Sequence, residues 1–160
     1  AETAKKLVSN CLYPPKGHRS MTGVLPQLDF KKHPIENVSK IINEDVIVVI
    51  MLESPKAIEN VEEIASIDGV DVLLIGTNDL CMEMGIPGQY DNKDVKLSFE
   101  KVINACNKNN VMPGMGGVYT EDLMYEYISM GMRFILSGSD LAFMMSSAKE
   151  RSDNLRNCLK

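Results

Sequence analysis

The stretch VIVVIMLESPKAIENVEEIASIDGVDVLLIGTNDL, residues 46–80, spans a strand, a helix and a second strand, and its reading decides the fold. The first apolar run, 46–52, is continuous rather than alternating, the pattern of a parallel strand covered on both faces. Ser54 and Pro55 follow as N-cap and first-turn proline of a helix expected over 55–66. The second strand, 72–75, stops at GTNDL. Glu53 and Asp79 therefore hold equivalent places, each just past a strand end and one strand-helix unit apart. In parallel α/β sheets those C-terminal strand ends form the rim on which active sites are built.

Working outward, the cycle continues downstream. A short helical piece follows GTNDL, then a loop over 87–92 and a helix over 93–109. A third strand over 111–115 ends in GMGG, and its helix runs over 120–130 with Thr120 as the expected cap. The fourth strand, 133–136, ends at SGSD, where Asp140 reads as an N-cap for a helix over 141–156. Four consecutive units predict a wholly parallel sheet with right-handed crossovers. A doubly wound sheet and a (β/α)8 barrel both accept such a series, and a barrel takes about 250 residues.

Upstream of residue 46 the pattern is irregular. YPPKGHRSMTGVLPQLDFKKHP, dense in Pro and Gly, is a long connection, because Pro14, Pro15, Pro26 and Pro34 do not fit inside regular elements. A short helix over 35–43 puts Val38, Ile41 and Ile42 on one side. The opening AETAKKLVSNCL has no initiator Met and reads as the interior of an amphipathic helix, with Ala4, Leu7, Val8 and Cys11 on one face. This headless start favours the barrel, with residues 1–160 as a single partial domain. Residues 1–45 are then the end of a preceding helix, the connection and a short helix, and 46–160 are the last four strands and helices of a TIM barrel.

With 160 residues, 44% hydrophobic and 24% charged, the chain has the composition of a soluble globular domain. A formal net charge of -5, with no long run of Lys or Arg, argues against nucleic acid. Cys11, Cys81, Cys106 and Cys158 form no CxxC pair and read as reduced thiols of a cytoplasmic protein. No apolar stretch reaches the roughly 18 residues of a membrane span. His18 and His33, in loop and helix-entry contexts, receive no role. The eleven methionines, among them Met82, Met84, Met112, Met115, Met130, Met132, Met144 and Met145, fall mostly at strand or helix-core spacing and read as adaptable core filler.

The chemistry therefore centres on Glu53 and Asp79. Adjacent strands lie roughly 4.8 Å apart, so two short acidic side chains at neighbouring strand ends are able to share a cation. One Glu and one Asp, with water and substrate completing the sphere, suit Mg2+ or Mn2+. Each acid alone has a plainer explanation, Asp79 as a helix cap and Glu53 as a complement to a helix dipole. The segment Gly76, Thr77, Asn78, Asp79 offers backbone N–H groups to an anion, such as a substrate carboxylate, or forms a simple Asx-type turn.

The strings YPPKGHRS (13–20), VVIMLESPKAIENVEEIASIDGVDVLLIGTNDLCMEMG (48–85), MPGMGG (112–117) and GMRFILSGSD (131–140) resemble the HpcH/HpaI aldolases in order and spacing. That resemblance extends along essentially the whole chain and is most specific in its central block. It implies a barrel of the phosphoenolpyruvate/pyruvate type and a class II aldolase cleaving a 2-keto-4-hydroxy acid to pyruvate and an aldehyde. It further implies that Glu53 and Asp79 ligate Mg2+ or Mn2+, and that Asn78 and Asp79 hold the pyruvate carboxylate through backbone N–H groups. Many relatives carry a substrate-touching Gln where this chain has Met51, which donates no hydrogen bond. The family's general-base His and carboxylate-binding Arg match nothing here, neither His18 nor Arg19, so the base is expected upstream.

Two other readings remain. One is a citrate- or malyl-CoA-type lyase of the same superfamily; the loop MEMGIPGQYDNKD is more similar to the aldolases. The other is a catalytically incomplete half-barrel serving structure or interaction. Open sheet edges and an apolar inner face also predict a homo-oligomer.

Overall fold

The computed structural model describes residues 1–22 and 24–158; Gly23, in the proline-rich connection, lies outside them. Helix α1 (Glu2–Cys11) buries Ala4 and Val8, but Leu7, expected on the same face, is exposed beside the edge of the sheet. The connection contains one 3-10 turn, Pro26–Leu28, and leads to α2 (Ile35–Asp45), whose Val38 and Ile42 pack with Tyr13 and Leu25 in a small satellite cluster. Asn43 clamps that cluster. Its carboxamide accepts from Tyr13 N at 2.8 Å and donates to Tyr13 O at 3.0 Å, while the Arg19 guanidinium stacks over the Tyr13 ring at 4.9 Å. The YPPKGHRS segment therefore docks α2, and His18 is exposed.

Beyond α2 come β1 (Val49–Leu52), α3 (Pro55–Glu59), α4 (Val61–Ala65), β2 (Val72–Gly76) and α5 (Thr77–Glu83). They are followed by α6 (Lys93–Asn109), β3 (Met112–Gly116), α7 (Glu121–Met130), β4 (Phe134–Ile135) and α8 (Asp140–Asn157). The strands pair in the order β1-β2-β3-β4, all parallel. That order separates the two architectures. A doubly wound sheet reverses direction at a switch point, whereas each strand here adds beside its predecessor, as in a partial (β/α)8 barrel.

The main core follows helical spacing onto the sheet. Along α6, Val95, Phe99, Val102, Ile103 and Cys106 are buried in one cluster with Leu73, Ile75 and Met115. Each such side chain stabilises the fold by about 1.5–3 kcal/mol through burial. Asn92 caps α6 by accepting from Asp94 N at 3.0 Å, and Asn110, in the left-handed conformation at φ 56°, ends it. At the base of the sheet Asp71 Oδ2 accepts from Val48 N at 2.7 Å, satisfying a donor ahead of β1.

Several expectations change. The first strand is shorter than 46–52 and covered on one face only. Ile50 and Leu52 are buried while Val49 and Met51 face out, because no second layer covers that face of β1; β2 by contrast is buried at every residue. The helix over 55–66 breaks at Asn60 (φ -95°, ψ 12°), whose Nδ2 donates to Lys56 O at 2.6 Å and competes with the helical pattern. Ser139, not Asp140, caps α8, accepting from Ala142 N at 3.3 Å, and Thr120 makes no side-chain capping bond. The fourth strand shrinks to two residues, although Arg133 N to Pro113 O and Leu136 N to Met115 O extend its hydrogen bonding. Met115 and Met132 are core filler, and Met84 and Met130 partly so. Met82, Met112, Met144 and Met145 are exposed, the last two on α8, which has no buried residue.

All four cysteines are free thiols. Burial raises Cys81 and pushes Cys106 up to about 12, against a smaller lowering from its hydrogen bond with the Leu73 backbone. Both stay protonated and unreactive near neutral pH. Among the described residues no helix is long and apolar enough to cross a membrane.

Candidate functional site

Parallel pairing brings the C-terminal strand ends level, with Leu52 beside Ile75, Gly76 beside Gly116 and Met115 beside Ile135. A cleft of about 130 Å³ opens on that rim. Glu53 and Met51 reach it from β1, Thr77, Asn78 and Asp79 from the start of α5, and Gly117 and Tyr119 from beyond β3. All four residues singled out in the sequence thus share one cleft. A larger hollow of about 340 Å³ lies between α1 and the free edge of β1, but its lining contains no acid or His.

Gly76 shows where Glu53 points. A Cβ on Gly76 would lie 2.7 Å from Glu53 Cγ and 2.9 Å from Oε1, so the Glu53 side chain leans across the end of β2 toward the turn that carries Asp79. This approach requires glycine, and Glu53 and Asp79, from successive strand ends, both line the cleft. Neither acid forms an ion pair among the described residues, and no group of three or more His, Cys, Asp and Glu able to hold a metal occurs there. The donor set is two hard carboxylates. It fits a small divalent cation that retains water and takes oxygen ligands from substrate, as Mg2+ does, and it does not suit a soft metal. Beside the acids, Thr77 is fully buried and its Oγ1 has no hydrogen-bond partner among the described residues.

Asn78 is held on two sides. Tyr90 Oη donates to Asn78 Oδ1 at 2.7 Å, and a Cβ on Gly117 (φ 86°) would come within 3.1 Å of Asn78 Nδ2. The hydroxyl of buried Tyr127 donates in turn to the Tyr90 carbonyl, and the Tyr127 ring stacks on Phe99 with centroids 3.8 Å apart. Burial, with smaller contributions from Glu126, Cys81 and Asp91, raises the Tyr127 phenol and keeps it a donor. The sequence reading missed Tyr90, Tyr119 and Gly117. GMGG marked the glycine as a turn, but nothing local tied Tyr90 to a residue at the end of another strand.

A profile of the HpcH/HpaI aldolase/citrate lyase family matches residues 1–147. The chain belongs to that family. This HpcH/HpaI chain is 34% identical over 151 residues to a 4-hydroxy-4-methyl-2-oxoglutarate aldolase of Chaetomium globosum, across 92% of its own length and 56% of the relative's. It is 31% identical to a 2-dehydro-3,6-dideoxy-6-sulfogluconate aldolase of Pseudomonas putida, over 94% of its own length and 58% of that protein's. It thus spans little more than half the length of these relatives. The crystal structure of an HpcH/HpaI aldolase from Desulfitobacterium hafniense DCB-2 superposes with a TM-score of 0.83 at 26% identity, covering 97% of this chain and 60% of that one.

Proposed function

We propose that this chain supplies the cation- and pyruvate-binding side of a divalent-metal aldolase that cleaves a 2-keto-4-hydroxy acid to pyruvate and an aldehyde. The observation that carries the proposal is the Glu53 side chain laid across Gly76 in the rim cleft that Asp79 also lines, where four strand ends meet. Relatives named for 4-hydroxy-4-methyl-2-oxoglutarate and for hydroxypyruvate and pyruvate support the substrate class. Residues 46–160 would form the later βα units of the barrel, and residues 1–45 the end of a preceding helix and its connection.

In this reading Glu53 and Asp79 hold Mg2+ or Mn2+, which supplies Lewis-acid stabilisation of the negative charge that develops as the C3–C4 bond breaks. Backbone N–H groups of Asn78 and Asp79, unpaired within the first turn of α5, receive the substrate carboxylate. Met51, at the mouth of the cleft, faces the substrate with an apolar thioether. The proton on the C4 hydroxyl must leave to a base, and no residue of this chain is assigned that role. The chain by itself would then be inert, and activity would belong to a longer polypeptide or an assembly.

The test is cleavage by the full-length gene product, with Mg2+ or Mn2+, of 4-hydroxy-4-methyl-2-oxoglutarate, read as pyruvate, of citrate, read as oxaloacetate, and of a malyl thioester, read as glyoxylate. Cleavage of the keto acid alone is expected. Cleavage of the thioester or citrate instead would move the reading to a citrate- or malyl-CoA-type lyase, and no turnover of any of them would leave a structural half-barrel.

Gly76→Ala probes the geometry. The added methyl meets Glu53 Cγ at 2.7 Å, and relieving such an overlap costs about 1–3 kcal/mol. Taken up by moving Glu53, that raises the cation concentration for half-activation about tenfold or more, with little change in thermal midpoint. An unchanged activation curve would mean that Glu53 does not act from this position.

The open face of Val49 and Met51 on β1 and the exposed Leu141, Phe143, Met144 and Met145 of α8 support self-association. Light scattering is expected to return a mass of at least twice the chain's own. A monodisperse monomer at working concentration would contradict this.

A further inference from the structure

Asn78 carries one acceptor and two donors on its carboxamide, and which end faces the cleft decides what the residue recognises. An oxygen turned inward would compete for a cation beside Glu53 and Asp79. A nitrogen turned inward would bind an anion.

In the structure Tyr90 Oη donates to Asn78 Oδ1 at 2.7 Å, and Nδ2 lies over Gly117, just beyond β3, with no hydrogen-bond partner among the described residues. Tyr90 is itself fixed. It lies in the loop between α5 and α6, and its carbonyl is gripped by the hydroxyl of Tyr127, whose ring is fully buried against Phe99. A path of contacts thus runs from the α6–α7 core to an exposed amide at the rim.

We propose that Tyr90 is a positioning residue that locks the Asn78 carboxamide with its oxygen occupied and its NH2 presented to a substrate carboxylate. Within the aldolase reading, on which this rests, the site divides its labour: Glu53 and Asp79 take the cation, and the Asn78 amide discriminates for the anionic end of the keto acid. The neutral amide adds no charge that would repel that carboxylate. The phenol spends its donor on the amide and does not touch substrate.

The test is Tyr90→Phe in the full-length gene product, alone and combined with Asn78→Ala. Asn78 is exposed, so its truncation leaves the core intact. Three quantities are read: KM for 4-hydroxy-4-methyl-2-oxoglutarate, kcat, and the side-chain amide resonances of Asn78. Losing one hydrogen bond predicts a KM rise of about fivefold with kcat within twofold, and displaced Asn78 amide signals. In the Asn78→Ala background Tyr90→Phe should add nothing, since the two residues act as a unit. An unchanged KM, an equal rise in both backgrounds, or unmoved amide signals would each overturn the proposal. A wild-type protein that turns over no keto acid would defeat the aldolase reading instead, and the amide signals would then decide the Tyr90 assignment by themselves.

Discussion

Glu53→Gln or Asp79→Asn is expected to lower metal-dependent pyruvate release by the full-length protein at least about a hundredfold, the several kcal/mol that a positioned cation contributes. Each change keeps the side chain's shape and removes its charge. Neither residue belongs to the buried core or forms an ion pair among the described residues, so folding should be nearly unaffected. The loss should therefore appear in kcat/KM at saturating Mg2+ while the thermal midpoint stays put. A fall of less than about tenfold would remove both acids from the cation site.

Phe99→Ala should be the most damaging core substitution for stability. Phe99 is fully buried, sits mid-way along the inner face of α6, and stacks on Tyr127. Truncating a buried aromatic costs about 3–5 kcal/mol, which is much of the 5–15 kcal/mol that holds a typical domain together. Urea unfolding should show a midpoint shift of that size. The same cavity frees Tyr127, which holds the Tyr90 carbonyl, so KM should rise in protein that remains folded. A loss below about 1 kcal/mol would mean that this helix face is not packed as described.

The sequence was most legible where local chemistry and burial agree. Asn92 and the spacing of Val95, Phe99, Val102 and Cys106 define α6 by themselves, and the structure keeps its expected limits. The helix after β1 was misjudged because the break at Asn60 is a choice between two hydrogen bonds, invisible to apolar periodicity. Strand β1 was judged covered on both sides because a continuous apolar run is the same string whether or not a second layer exists. At the site, the place of Glu53 and Asp79 after successive strand ends is legible in the sequence, and the structure puts both in the lining of one cleft, with Glu53 against Gly76. Tyr90 was out of reach. Its contacts with Asn78 and Tyr127 join separate segments, and a Tyr in a Pro/Gly loop carries no signal of either.

The central claim is that Glu53 and Asp79 bind one divalent ion for a pyruvate-type substrate. Titrating the full-length protein with Mn2+ and following free Mn2+ by electron paramagnetic resonance, with pyruvate present, tests it most directly. One ion per chain is predicted for the wild type, tightened by pyruvate and weakened at least tenfold in Glu53→Gln and in Asp79→Asn. Equal Mn2+ affinity in the wild type and both variants would contradict it.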